Sequence, residues 1–120
     1  MTATIDLAPT FAQLARTSPG LVVDGRSLLT LLADPGAWSA RAVALEAGPK
    51  ELDSHDFYHG VRTGRWTFVR YGTDEIELYD LKTDPAQLQD LSADPAYADQ
   101  VTRLSRLTTR LTTCAGATCW

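Results

Sequence analysis

The runs DFYHGVRT, RWTFVRY and EIELYDL follow one another with almost nothing between them. Thr63-Gly64 separates the first pair and Gly72-Thr73-Asp74 the second, and both linkers have turn chemistry. Strands joined this tightly pair as antiparallel neighbours, because a parallel pair needs a crossover of a dozen or more residues. RAVALEA, alternating around Val43 and Leu45, adds a fourth candidate strand, and GPKELDSH after it reads as a polar loop. So small a sheet needs a cover over one face. The cover follows in sequence: Tyr97, Val101, Leu104, Leu107 and Leu111 recur at helical spacing, with Arg103, Arg106 and Arg110 on a different, solvated face. The spacing predicts an α+β chain in which a small antiparallel sheet of three to four strands is packed by a long C-terminal helix.

One or two helices are expected ahead of the sheet. Asp6 can cap the first, Pro9 fits its first turn, and Leu7, Phe11, Leu14 and Ala15 share a face. Ser18-Pro19-Gly20 is the expected stop. After a turn at Asp24-Gly25 comes a short Leu-rich helix ending before Pro35. Leu28, Leu29, Leu31 and Leu32 leave it apolar nearly all round, so it wants cover on more than one side.

Between sheet and final helix stands ELYDLKTDPAQLQDL. Asp-Pro-Ala occurs at 84–86 and again at 94–96, which is better read as two caps with Pro at the first helical position than as a repeat. A single-turn helix is expected over Ala86 to Leu91.

With 120 residues there is room for one small domain. The formal net charge is −4 and the basic residues are scattered from Arg16 to Arg110, which argues against a nucleic-acid footprint. No apolar run approaches the roughly 18 residues of a membrane span, and MTATIDLAPTF lacks the basic start and apolar stretch of a secretory signal. Cys114 and Cys119 are close enough for a small disulfide loop, a reading that stands ahead of metal ligation or free thiols. A disulfide points to an oxidising compartment.

Taken in order, DLAPTFAQLA, VDGRSLLTLL, YHGVRTGRWTFVRY and ELYDLKTDPAQLQDL resemble the C-terminal end of the sulfatase family, whose members share an alkaline-phosphatase-like α/β fold. The resemblance implies that residues 1–36 are terminal helices of the large domain and residues 37–120 the small C-terminal subdomain. It also implies what lies elsewhere: a C/S-x-P-x-R motif converted to formylglycine, a calcium site of Asp and Asn, and Lys and His around the sulfate all precede DLAPT in the family. No residue of this chain carries over as catalytic, and no cofactor is expected in it, whereas a full-length parent would use calcium and a formylglycine. The chain is therefore expected to be the end of a sulfatase started at an internal Met, inactive alone, its parent exported. The expected partners are the missing catalytic domain or a second copy, through uncovered apolar faces.

Other chemistry is weak. His55 and His59 are candidates for the rim of a substrate cleft, but as a metal pair on a strand they stand more than about 10 Å apart. Arg62, Arg65 and Arg70 interleave with Trp66, Phe68 and Tyr71, yet Glu75, Glu77 and Asp80 on the next strand offer them cross-strand partners. A non-catalytic module docking on a separate catalytic chain is the alternative function, and a small carbohydrate-binding domain using the aromatic hairpin a more distant one.

Overall fold

In a computed structural model of the chain, residues 1–48 and 57–119 are described. Four strands, β1 (Val43–Ala47), β2 (Tyr58–Arg62), β3 (Trp66–Tyr71) and β4 (Ile76–Asp80), form one antiparallel sheet in the order β1-β2-β3-β4. Register places Ala44, Val61, Phe68 and Leu78 in one row across it. Helix α3 (Ala98–Thr113) lies over that row. Leu104 and Leu111 join Val61, Trp66, Phe68 and Leu78 in the core, while Tyr97, Val101 and Leu107 pack at its margin. Thr108 is buried on the same stripe, and its hydroxyl donates to the Leu104 carbonyl, so the polar group is satisfied inside the helix.

The hairpins close one residue later than the Thr63-Gly64 reading. Thr63 N–H donates to the Trp66 carbonyl at 2.8 Å, making Gly64 and Arg65 the central pair. In the next turn Asp74 takes the left-handed φ of 66°, a conformation Asp tolerates better than most residues. Gly60 sits where β2 meets β3 most closely: a Cβ there would stand 2.5 Å from the Phe68 carbonyl oxygen.

The joint after β4 differs from the expected helix. After a turn at Pro85-Ala86 the chain is irregular to Leu91, with Gln87 at φ 55° and a bend at Gln89, rather than helical. A different hydrogen-bonding demand wins there. The outer edge of β4 needs partners, and the loop supplies them: Leu78 N–H donates to Asp90 Oδ1 and Leu91 N–H to the Leu78 carbonyl, each at 2.9 Å. Asp94 does act as a cap, accepting from Ala96 N–H ahead of Pro95.

Helix α1 spans Leu7–Leu14 and α2 Leu29–Ala33. The first ends before Ser18-Pro19-Gly20. Arg16, at φ 53°, turns the chain while Thr17 N–H returns to the Ala12 carbonyl and Arg16 N–H to that of Gln13. This is the helix stop usually served by glycine, here on an arginine.

Asp6 makes no side-chain cap to α1. It is fully buried and receives both arms of Arg41, at 2.5 and 2.7 Å, together with the N–H groups of Ala3 and Arg26. Thr10 extends the network: its hydroxyl donates to the Asp6 carbonyl and accepts from Leu28 N–H. Gly25 is required for close approach rather than for a turn, because a Cβ there would overlap the Ile5 carbonyl.

Burial pushes the Asp6 carboxyl up, but the Arg41 hydrogen bonds, the two backbone N–H groups and the Arg41 charge outweigh it and hold it below the usual value. Asp80 is lowered chiefly by its hydrogen bonds from Arg65. At Asp90 burial raises the carboxyl, but the Leu78 and Ser92 donors outweigh it and lower it. Lowered carboxylates contribute stability that is complete above the unfolded value near 4 and is lost as pH falls through the folded values. Resistance to urea, read by tryptophan fluorescence, is therefore expected to be flat from about pH 8 to 5 and to decline below about 4. Asp6→Asn is expected to cost about 3–5 kcal/mol at pH 7, because it strands the Arg41 charge, and to shrink the acid-dependent part.

Candidate functional site

Of the two histidine candidates, His55 lies outside the described residues. His59 is opposite Glu46 in the β1–β2 register, with Nδ1 3.3 Å from Glu46 Oε1, near enough for an ion pair when protonated but misaligned for a hydrogen bond. Its ring meets Phe57 edge-on at 4.6 Å. No group of three or more His, Cys, Asp or Glu able to hold a metal occurs among the described residues.

The aromatic hairpin divides between the two sheet faces. Trp66 and Phe68 are core residues, and Arg65 lies over the Trp66 ring while gripping Asp80 through Nε and Nη2 at 2.9 and 2.6 Å. The cross-strand pairing expected of the hairpin arginines is thus realised at Arg65. Tyr58, Tyr71 and Tyr79 occupy the face away from α3 by strand alternation. Burial first, and Glu77 second, push the Tyr79 hydroxyl up to about 12, so it is protonated at any ordinary pH.

Cys114 and Cys119 form a disulfide. The loop it closes reaches back to the N-terminal segment, where Gly116 N–H donates to Asp24 Oδ1 at 2.7 Å. Gly116, at φ 58°, lies beside Val22, whose Cγ1 would meet an added Cβ at 3.1 Å. The disulfide loop is therefore a clasp between the two ends of the chain.

Between the N-terminal segment and α3 lies a cleft of about 520 Å³. Arg26, Trp38, Arg41, Arg103 and Arg110 line it, and no Asp or Glu stands among its described lining residues. Trp38 is 3% exposed, with the Arg26 and Arg41 guanidinium carbons 5.0 and 4.6 Å from its ring centroid. Among the described residues its indole N–H has no hydrogen-bond partner. Arg41 is committed to Asp6. Among the described residues Arg103 and Arg110 form no ion pair, and Arg103 Nε donates to Gln100 Oε1 at 3.3 Å. Sequence reading missed this cleft, since nothing in the spacing couples Trp38 to arginines more than sixty residues away. An isolated Trp just ahead of the first strand was the only signal.

Residues 1–114 match the family described as "N-sulphoglucosamine sulphohydrolase, C-terminal". The chain belongs to that family. Its sulfatase relatives include the solved structure of BT4656 in complex with its substrate D-glucosamine-2-N,6-O-disulfate, 26% identical with a TM-score of 0.72 over 87% of this chain and 22% of that one. The phosphonate monoester hydrolase of Silicibacter pomeroyi is 27% identical, with a TM-score of 0.71 over 94% of this chain and 26% of that one. BT1596, a 2-O GAG sulfatase, is 25% identical, with a TM-score of 0.66 over 89% of this chain and 24% of that one. Among curated proteins none matches. The chain thus spans about a quarter of the length of these solved relatives.

Calcium and a formylglycine are implied by the sulfatase resemblance, and the described residues fit neither. Both cysteines are joined to each other, and carboxylates such as Asp6, Asp80 and Asp90 are occupied by arginines or backbone donors rather than gathered into one oxygen cage. Replacing both cysteines by serine is expected to lower stability by about 2 kcal/mol, the chain-entropy value for so short a loop. Hydrogen exchange at the Gly116 amide should accelerate by more than global stability alone explains, because the clasp on Asp24 opens locally.

Proposed function

We propose that this chain is the C-terminal subdomain of a sulfuric ester hydrolase, without hydrolase activity of its own. Residues 1–36 are the last helices of the large domain, and residues 37–120 the small subdomain beside it. The observation that carries this reading is the face of α1. Phe11 and Leu14 are 62% and 61% exposed, with Ile5 and Leu7 exposed as well, so a helix patterned to be buried is left uncovered by the described residues. Leu21, Val22 and Leu32 extend the uncovered surface. In a family whose solved members are about four times as long, the catalytic domain is the fitting cover. Cleavage of a sulfate ester needs an activated nucleophile and donors aimed at the developing charge, and in this reading the covering domain supplies both.

Purified alone, the chain is expected to leave a chromogenic aryl sulfate untouched with calcium present, while the same chain extended upstream to a nucleophile motif turns it over. Activity in the short chain would sink the reading. The pair Phe11→Asp and Leu14→Asp should reduce self-association of the short chain in sedimentation velocity. In the extended protein the same pair should weaken domain docking by more than about tenfold, given roughly 1.5–3 kcal/mol for each buried large side chain. An extended enzyme indifferent to both charges would show that this face is not the docking face.

A further inference from the structure

The two sulfurs of the disulfide stand in opposite fields. Cys119 borders the cleft that holds Arg41, Arg103 and Arg110. Arg41 is neutralised by Asp6, whereas Arg103 and Arg110 form no ion pair among the described residues. Positive charge left uncancelled favours a thiolate over a thiol. Cys114 is placed differently. It caps the C-terminus of α3, where the helix dipole presents its negative end and disfavours a second negative charge. Its Sγ lies 3.0 Å from the Leu111 carbonyl oxygen, an acceptor ready for an S–H. Of the pair, Cys119 is suited to leave as a thiolate and Cys114 to hold a proton. Both residues are half-buried and line a second groove of about 460 Å³ beside β1, which gives a thiol a route in from solvent. The carboxylates of that groove are occupied: Asp24 accepts from Gly116 N–H, and Glu46 stands beside His59. Partly exposed cysteines in electropositive surroundings are the reactive kind, and a leaving thiol of low pKa speeds exchange. Opening the loop would also have a structural consequence, since Gly116 within it donates to Asp24 and lies beside Val22.

We propose that the Cys114–Cys119 disulfide is a site of thiol–disulfide exchange with a dithiol, and that its opening releases the clasp on Asp24. A thiolate of the dithiol attacks Cys114 Sγ, the S–S bond breaks, and its electron pair leaves on Cys119 Sγ beside the arginines. The dithiol's second thiolate then attacks the dithiol sulfur of the mixed disulfide and expels Cys114, which takes up a proton. Two electrons pass from the dithiol to the chain, and the dithiol ends as a disulfide. Of its two protons, one goes to Cys114 and the other to water. The exchange rests on these side chains and not on the docking role of α1.

The test treats the 120-residue chain with glutathione, which has no second thiol and so halts the exchange at the mixed disulfide. Excess iodoacetamide added at short times blocks the released sulfur, and mass spectrometry of the C-terminal peptide locates each group. Glutathione is expected on Cys114 and the alkyl group on Cys119. With dithiothreitol at low ionic strength, the double variant Arg103→Gln, Arg110→Gln, both at exposed positions, should open at least about threefold more slowly. Lysine at both positions should restore the parent rate, and about 1 M sodium chloride should remove most of the difference. After opening, hydrogen exchange should rise at Gly116 and across residues 22–26 while the sheet amides stay protected. Glutathione on Cys119, a glutamine variant that opens at the parent rate, or unchanged exchange across residues 22–26 would overturn the proposal. Loss of protection in the sheet on opening would overturn it as well.

Discussion

The ion pair between Asp6 and Arg41 fixes how the first third of the chain meets the rest. Four donors converge on one fully buried carboxylate, and they come from three separate stretches: Ala3, Arg26 and both arms of Arg41. Such a pair adds little net stability over a well-packed apolar substitute, because both charges have been taken from water. Its effect is on geometry. With Arg41 held, its guanidinium carbon stands 4.6 Å from the Trp38 ring centroid, and that of Arg26 stands 5.0 Å from the same centroid. Trp38 is thereby buried by two cations rather than by the core, of whose cluster it is not a member. The arginine-lined cleft exists because the Asp6 pair holds one of its walls.

A second fastening sits at the other end of the same segment. The loop closed by Cys114 and Cys119 meets Asp24 and Val22, so residues 1–41 are pinned through polar contacts near both Asp6 and Asp24. Between the pins α1 turns Phe11 and Leu14 outward. Polar groups thus attach this segment to the subdomain, while its apolar groups are left for another surface. That division is the reverse of an ordinary small domain, where apolar contacts hold the elements together and polar groups face water.

The sheet and its covering helix were legible because their signal is periodic and local. Alternation placed β1 to β4 and the Tyr97-to-Leu111 stripe placed α3, and both patterns reflect one buried side per element. Ala86 to Leu91 was misread for a physical reason: the outer edge of β4 recruits Asp90 and Leu91, a demand made by the sheet and invisible in the loop's own composition. Asp6 was misread likewise. An Asp ahead of a helix is most often a cap, and only the arrival of Arg41 from 35 residues away turns it into a buried hub. Arg16 ended α1 without the glycine that usually marks such a stop. At the candidate site the local cross-strand partner Asp80 was legible, whereas the cleft, assembled from residues 26, 38, 103 and 110, was not.

Where the apolar burial lies decides how the chain comes apart. Val61, Trp66, Phe68, Leu78, Leu104 and Leu111 all belong to the sheet and α3, so the cohesive unit among the described residues starts near Ala42 and closes at Cys114. The N-terminal helices add no residue to that cluster. Their attachment depends on carboxylates, backbone donors and a disulfide loop, interactions that open locally at lower free energy than a packed core. Loss of the Asp6 charge therefore loosens the segment at one of its two fastenings, beside Trp38, without requiring the sheet to melt. A sheet and helix built this way keep their own core whether or not anything covers α1. The direction in which α1 presents Phe11 and Leu14 then depends on the buried ion pair at one end and the disulfide clasp at the other.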